Sequence, residues 1–137
     1  MTGKPLVGRN LAGGMVKLPE PREDSKTSVE SAFHLRRSVR EFGKTELSLV
    51  EVSQLLWAAQ GITDPEGKRT APSAGALYPL EVFLVAGGQD ELPAGLYRYR
   101  PQSHELDLEV QGDKRAELAA TALEVSFVAN QLYLYWR

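Results

Sequence analysis

Two short stretches of this sequence contain side chains that could bind a small ligand. In the first, three arginines and one serine fall within five consecutive positions. A guanidinium group binds phosphate through a planar pair of hydrogen bonds, and a neighbouring serine hydroxyl can bridge to a phosphate or sugar-alcohol oxygen. The candidate phosphate-binding residues are therefore Arg36, Arg37, Ser38 and Arg40. Taken alone, such a cluster is also typical of solvated surface.

The second stretch, Arg69–Pro79, has almost no side-chain volume at its centre. Four small residues at positions 73–76 lie between two prolines, each of which fixes its own φ angle and lacks a backbone donor. Because these side chains are so small, the backbone there can lie directly against a flat ligand. The candidate contact residues are Pro72, Ser73, Ala74, Gly75 and Ala76. An ordinary loop or a short capped helical turn is the alternative interpretation.

The order of these two motifs resembles a known enzyme family. Residues 36–42 have the pattern RRSVRxF, and residues 72–81 read PSAGALYPLE. Together they resemble the nitroreductase superfamily of FMN enzymes, and within it the SagB-type dehydrogenase branch, with further agreement at Leu55–Thr63 and Gly95–Tyr99. The resemblance runs from about residue 18 to about residue 128. It covers the first part of the family's domain, so it implies a domain that is truncated at its C-terminal end.

This resemblance implies a two-step hydride transfer through bound FMN, in which the flavin carries the chemistry. In the reductase branch NAD(P)H commonly serves as electron donor, whereas the SagB-type branch oxidises azolines in peptides to azoles. By resemblance, the arginine cluster (residues 36–40) would hold the phosphate, ribityl and pyrimidine-edge oxygens of FMN. The small-residue loop (residues 72–76) would line the isoalloxazine ring. No side chain of either motif is an evident general acid or base, so the catalytic residues are unknown.

The resemblance also implies association between chains, because family members bind FMN between two subunits. A homodimer or other self-association is expected, with a small molecule or a peptide as substrate. The aromatic run at residues 127–136 contains no charged side chain and is predicted to pair as a strand with another subunit or to aggregate. The alternative function is a non-catalytic, truncated half-domain that needs a partner or is a gene remnant.

Composition excludes several other classes of protein. The 137 residues are 42% hydrophobic and 25% charged, which is typical of one globular domain, and a net charge of −2 gives no reason to expect nucleic acid or a membrane surface as partner. Cysteine is absent, and the isolated His34 and His104 lack metal-ligand spacing, so no metal is expected. Both histidines are predicted to be surface or cap residues. No signal-like or membrane-length apolar segment is found, which predicts a cytoplasmic location.

The chain divides into two predicted regions. Residues 1–26 are rich in glycine, proline and charge and are predicted to form an irregular arm. Residues 27–137 are predicted to form the N-terminal part of a nitroreductase-like FMN domain. At its start, Thr27 and Glu30 predict a capping box for a short helix that ends at the arginine cluster.

A second capping box, at Ser48 and Glu51, predicts the clearest helix of the chain. This helix ends at Gly61, and its buried stripe is predicted to contain Val52, Leu55, Leu56 and Ala59. Trp57 lies off this stripe and is either a partly buried packing residue or a subunit contact. The polar segment 63–70 that follows is predicted to be a loop that could move over a pocket.

The remaining segments predict strands and a third helix. Leu80–Ala86 is an apolar run rich in valine and phenylalanine and is predicted to be a central strand. Gly95–Arg100 and Glu105–Val110 predict a hairpin with Tyr97 and Tyr99 on one face. Lys114–Leu123 predicts a helix capped by Asp113. The predicted fold is therefore α+β, a nitroreductase-like mixed sheet flanked by helices.

Overall fold

The computed structural model describes residues 14–39, 41, 43 and 45–121, and the backbone of residues 133–136. In chain order its strands and helices are β1 (Met15–Lys17), α1 (Val29–Leu35), α2 (Leu49–Gln60), β2 (Val82–Ala86), β3 (Gly95–Arg100), β4 (Glu105–Gln111), α3 (Arg115–Thr121) and β5 (Tyr133–Trp136). A single 3₁₀ turn, Ala74–Ala76, lies between α2 and β2. The predicted α+β class is confirmed.

The five strands form one sheet in the order β1-β4-β3-β2-β5. All four pairings between these neighbouring strands are antiparallel, so the described strands form an antiparallel sheet rather than the predicted mixed sheet. The predicted hairpin of β3 and β4 is confirmed, with a shift in register between Leu96 and Tyr97. Tyr97 and Tyr99 are both buried because alternate residues of a strand face the same side of the sheet.

Helix α2 begins and ends where the sequence predicts. The Ser48 hydroxyl accepts a hydrogen bond from the Glu51 amide, and the Glu51 carboxylate accepts one from the Ser48 amide at 2.7 Å, which confirms the capping box. The Ser48 hydroxyl and the Ser48 amide both donate to the Glu51 carboxylate and so lower the pKa of Glu51. At the other end, a methyl group on Gly61 would lie only 2.2 Å from Cδ1 of Trp57. Trp57 is half-buried, as expected of a packing residue, and its ring requires glycine at position 61.

The core lies between α2 and the sheet. Its buried apolar side chains are Val16, Leu18, Leu49, Val52, Leu56, Val82, Leu84, Ala86, Leu92, Tyr97, Tyr99 and Leu106. Leu55, which was expected on the buried stripe, is 44% exposed. Consecutive residues of a helix are about 100° apart, so a stripe that runs through Leu49 and Leu56 leaves Leu55 at its edge.

Part of the predicted irregular arm is a strand. Met15–Lys17 forms β1 at one edge of the sheet, where it pairs with β4. Val16 and Leu18 are 0% and 2% exposed, so alternate residues of this short segment enter the core. Because glycine, proline and charged residues surround the segment, the sequence analysis did not recognise this alternation. The first 13 residues of the predicted arm lie outside the described residues.

His104 is half-buried rather than on the surface. Its Nε2 lies 3.0 Å from the Pro19 carbonyl oxygen and 2.7 Å from Ser53 Oγ, and its Nδ1 lies 2.8 Å from the Tyr99 hydroxyl. A carbonyl oxygen only accepts, so Nε2 carries the proton and Nδ1 accepts from the Tyr99 hydroxyl. The neutral imidazole therefore links the N-terminal segment to α2 and to the hairpin. The other histidine, His34, is exposed as predicted.

Acidification should destabilise the fold through His104. Burial lowers the pKa of His104 below its ordinary value of 6.5, although the hydrogen bond to the Pro19 carbonyl oxygen acts to raise it. The unfolded chain therefore binds this proton at a higher pH than the folded chain, so stability is lost as the pH falls below about 6.5. Thermal denaturation at a series of pH values measures the loss. His104→Gln should reduce it and the exposed-site control His34→Gln should not, whereas equal losses in wild type and His104→Gln would contradict the assignment.

Helix α1 differs from its prediction in both its cap and its packing. Its N-cap is Ser28 rather than Thr27, because the Ser28 hydroxyl accepts the Ser31 amide at 3.1 Å. None of its seven residues is buried. The exposed fractions of its large apolar side chains are 64%, 75% and 68% for Val29, Phe33 and Leu35. Within the described residues, the apolar side of α1 therefore has no cover.

The C-terminal aromatic run pairs within its own chain. The backbone of Tyr133–Trp136 forms β5 beside β2, in a register that places Val82 opposite Trp136 and Val85 opposite Tyr133. The run therefore forms a strand, and β2 supplies partners for one edge of its backbone. Pairing of its other edge with another subunit remains a prediction. Phe127 and Leu132 belong to the predicted run but lie outside the described residues.

The other predicted elements are present with shorter bounds. The predicted strand at residues 80–86 is β2, which begins at Val82. The predicted third helix is α3 over Arg115–Thr121, and its expected last two residues lie outside the described residues. Asp113 accepts the Arg115 amide at 3.0 Å, as expected of a cap, and hydrogen bonding to Arg115 lowers its pKa. No helix among the described residues is long and apolar enough to cross a membrane.

Candidate functional site

The small-residue loop between α2 and β2 has a strained backbone. The φ angles of Gly75, Ala76 and Tyr78 are +64°, +52° and +44°. Glycine adopts this left-handed region freely, whereas any other residue pays about 1–2 kcal/mol for it. Such strain persists only where surrounding contacts hold it, and it is concentrated at ligand-binding sites. Two non-glycine residues in this region make the loop the clearest functional candidate.

Ser73 accepts two hydrogen bonds from residues of the same turn. Its carbonyl oxygen accepts the Ala76 amide at 3.1 Å, and its hydroxyl accepts the Tyr78 amide at 2.9 Å. The Ser73 side chain, which the sequence predicts to contact a ligand, thus holds the loop itself. No hydrogen bond within the described residues uses the amides of Ala74 and Gly75. Two backbone donors therefore remain on the turn.

The outer side of this loop is open. Pro72, Ala74, Gly75 and Ala76 are all exposed. A methyl group on Gly75 would come no closer than 3.7 Å to any described atom outside its immediate neighbours, and that atom is Cγ of Leu77. Packing therefore does not require glycine at position 75, but its φ angle does. The space in front of the loop is available to a flat ligand.

The arginine cluster follows the C-terminal end of α1. Arg36 is the C-cap residue, and Nη1 of Arg37 donates to the carbonyl oxygens of His34 and Arg36, both at 2.8 Å. Arg37 therefore caps the helix, in addition to its predicted phosphate contact. Arg36 and Ser38 are exposed. Arg40, the fourth predicted residue, lies outside the described residues.

The structure does not join the two predicted motifs. Among the described residues, no hydrogen bond or ion pair connects residues 36–38 to residues 72–76. Each motif alone suits part of an anionic, planar ligand, because the first offers exposed guanidinium groups and the second offers amides on a flat surface. That both bind one ligand remains a prediction.

A separate cleft at the N-terminal end of α2 has the opposite charge. Its volume is about 480 Å³, and its acidic lining residues are Glu46, Glu51, Asp90 and Glu91. Carboxylates repel phosphate, so this cleft is a poor candidate for a nucleotide. Among the described residues, no group of three or more histidine, cysteine or acidic side chains could hold a metal ion.

Two residues that support the loop escaped the sequence prediction. The guanidinium carbon of Arg69 lies 4.7 Å from the ring centre of Tyr78, and the Arg69 amide donates to the Tyr78 hydroxyl at 3.3 Å. The available signal was an arginine at one end of the small-residue loop and a tyrosine at the other, a pair able to stack across it.

Comparison with known proteins identifies the family. The model of the nitroreductase family matches residues 35–135. A protein of Methanocaldococcus jannaschii with the provisional name of nitroreductase is 38% identical over 114 residues, which are 83% of this chain and 56% of that protein. The trifolitoxin operon protein TfxC of Rhizobium leguminosarum bv. trifolii is 29% identical over 143 residues, covering 93% of this chain and 40% of that protein. The chain belongs to the nitroreductase family.

Solved structures agree with this assignment. A crystal structure from Ralstonia eutropha, provisionally named a nitroreductase, superimposes with a TM-score of 0.65 at 38% identity and covers 82% of this chain and 53% of that one. A crystal structure from Anabaena variabilis, also provisionally named a nitroreductase, superimposes with a TM-score of 0.54 at 32% identity. It covers 62% of this chain and 19% of that one. The chain thus spans about half the length of the curated relatives it matches. The family generally uses flavin cofactors.

Proposed function

We propose that this chain forms the cofactor-binding part of an FMN-dependent oxidoreductase that passes hydride between a substrate and the flavin. The observation that carries the proposal is the small-residue loop, which is exposed, left-handed at Gly75 and Ala76, and equipped with two unused amides. A ring that lies on this loop meets only backbone and small side chains. The family's general oxidoreductase function supports the reaction class.

The residues of the chain bind and orient the cofactor in this proposal. When bound, FMN supplies the hydride chemistry itself. The amides of Ala74 and Gly75 donate to the polar edge of the ring and stabilise negative charge that develops there. Arg36, Ser38 and Arg40 bind the phosphate and ribityl oxygens, while Arg37 adds positive charge from the end of α1. No acid or base is assigned, since the loop side chains that face the ring do not titrate.

The proposal leaves two alternatives for the substrate and the electron donor. In a reductase reaction NAD(P)H would donate the electrons to FMN, and a small molecule would accept them. In a SagB-type reaction a peptide azoline would itself be oxidised. The predicted cytoplasmic location remains a prediction.

That no hydrogen bond or ion pair among the described residues joins the two motifs favours a second candidate function. In this alternative the chain is a non-catalytic half-domain that needs a partner or is a gene remnant. The two candidates differ in one measurable property, which is retention of FMN. Titration of the purified 137-residue chain with FMN is expected to yield a stable complex. A folded chain that binds no FMN would refute the first candidate.

Self-association is proposed as the means by which the site is completed. Helix α1 leaves Val29, Phe33 and Leu35 exposed, and Leu77, beside the small-residue loop, is 81% exposed. Scattered apolar side chains are normal on a surface, but here they accompany both candidate cofactor motifs. A second copy of the chain would cover them at the place where FMN is proposed to bind.

We therefore expect the purified chain to be a dimer or larger species at micromolar concentration in size exclusion with light scattering. Phe33→Ser should weaken association by about tenfold or more, because large aromatic side chains dominate interface energies. Val110→Ser is the matched control, since Val110 is 41% exposed on β4, away from both motifs. A wild-type monomer with cooperative thermal unfolding would contradict self-association.

A further inference from the structure

Arg69 and Tyr78 bracket the small-residue loop and contact each other in two ways. The Arg69 guanidinium lies over the Tyr78 ring, with 4.7 Å between its carbon and the ring centre. The Arg69 backbone amide also donates to the Tyr78 hydroxyl at 3.3 Å. A cation over an aromatic face and a hydrogen bond to the same ring together restrict where Tyr78 can lie.

Arg69 is in turn fixed to the end of α2. Its Nη1 donates to Oε1 of Gln60 at 3.1 Å, and Gln60 is only 8% exposed. Its backbone forms a bridge with Ile62. The amide of the next residue, Thr70, donates to the Gly61 carbonyl oxygen at 2.9 Å. The Thr70 hydroxyl donates to the Trp57 carbonyl oxygen at 3.1 Å. This segment was predicted to be a loop that could move, and these hydrogen bonds tie the end of the loop, Arg69 and Thr70, to the helix.

Tyr78 ends the strained part of the loop. Its φ angle is +44°, and that of Ala76 is +52°. Left to themselves, alanine and tyrosine favour negative φ angles, so the loop needs external contacts to hold this shape. The contacts on Tyr78 are the guanidinium of Arg69, the amide of Arg69 and the hydroxyl of Ser73.

We propose that Arg69 and Tyr78 form a clamp that holds the small-residue loop in its left-handed shape and so positions the amides of Ala74 and Gly75 for the flavin. The inference rests on the proposed function. Both are positioning residues, because they act through the loop. The Nε of Arg69 is buried without a hydrogen-bond partner among the described atoms, which is uncommon for a buried donor.

Hydrogen exchange in the flavin-free chain tests the clamp directly. Arg69→Met and Tyr78→Leu should each accelerate exchange of the Ala76 and Tyr78 amides by at least about tenfold, because the loop opens more often. Arg22→Met removes an exposed arginine elsewhere and should leave these rates unchanged. Should Tyr78→Leu fail to fold, Tyr78→Phe removes only the hydroxyl and should accelerate exchange to a smaller extent. Wild-type exchange rates in Arg69→Met would overturn the clamp, whether or not FMN binds.

FMN titration tests the consequence for the cofactor. Arg69→Met and Tyr78→Leu should raise the Kd for FMN by about tenfold with little change in Tm, since a loosened loop presents its amides only part of the time. Adding Ala76→Gly to Tyr78→Leu should recover part of the affinity, because glycine accepts a positive φ angle without the clamp. Faster exchange with unchanged affinity would overturn the positioning role and leave the proposed function standing. Failure of the wild-type chain to bind FMN would instead overturn the proposed function.

Discussion

Gly75→Val is expected to abolish FMN binding, with at least about a 100-fold rise in Kd, while the chain stays folded. Gly75 has a φ angle of +64° and is exposed, and a methyl group at this position meets nothing closer than 3.7 Å in the described chain. The valine side chain would therefore project into the space proposed for the flavin ring. Its left-handed backbone should cost about 1–2 kcal/mol of folding stability.

Gly67→Val is the matched control for this experiment. Gly67 also has a left-handed φ angle, +83°, and no atom lies within 4 Å of a methyl group placed there. It should suffer the same backbone strain as Gly75→Val and keep its FMN affinity. Circular dichroism and FMN titration on the same samples separate the two effects. If Gly75→Val unfolds while Gly67→Val does not, the loop is structural rather than a flavin surface.

Replacing Arg36 and Ser38 together by alanine is expected to weaken FMN binding by about 10- to 100-fold. A hydrogen bond to a charged group contributes about 1.5–3 kcal/mol, and because both side chains are exposed to solvent their combined effect is taken as about that of one such bond. Arg37 is left in place because its guanidinium caps α1. Quenching of FMN fluorescence on titration measures the change.

Two controls make this result specific to the phosphate. Arg22→Ala removes another exposed arginine and should leave FMN affinity unchanged. Riboflavin keeps the ribityl chain but lacks the phosphate, so the double variant should lose less affinity for riboflavin than for FMN. Equal FMN affinities for the double variant and the wild type would show that the arginine cluster is ordinary solvated surface.

Sequence predicted those elements whose geometry is decided within a few residues. The capping box of α2 depends on Ser48 and Glu51, which are one helical turn apart. The β3–β4 hairpin follows from alternating side chains on either side of a four-residue connection. In both cases every group that determines the structure lies inside the pattern itself.

Contacts between distant residues account for most of the failures. The partners of His104 include Ser53 and Pro19, which are 51 and 85 positions away. Similarly, Val16 of β1 pairs with Leu106 of β4. No local period predicts such contacts, so one histidine was expected at the surface and one strand was expected to be irregular.

At the candidate site, too, local features could be predicted and features that depend on distant contacts could not. Small side chains between two prolines were sufficient to place the loop, and the structure shows a positive φ angle at its glycine. The positive φ angles of Ala76 and Tyr78 could not be predicted, because neither residue type favours them. They depend on the contact of Tyr78 with Arg69, and Arg69 depends on Gln60 at the end of α2.

Retention of FMN by the purified chain is the most direct test of the proposed flavin site. After incubation with excess FMN and gel filtration, the wild-type chain should elute with bound flavin, visible as yellow absorbance in the protein peak. The measurement should be made at micromolar concentration, where self-association is expected, with circular dichroism of the same fraction to establish that it is folded. Co-elution of flavin in wild type and its loss in Gly75→Val is the predicted result. A folded wild-type chain that elutes colourless from saturating FMN would contradict the proposed site.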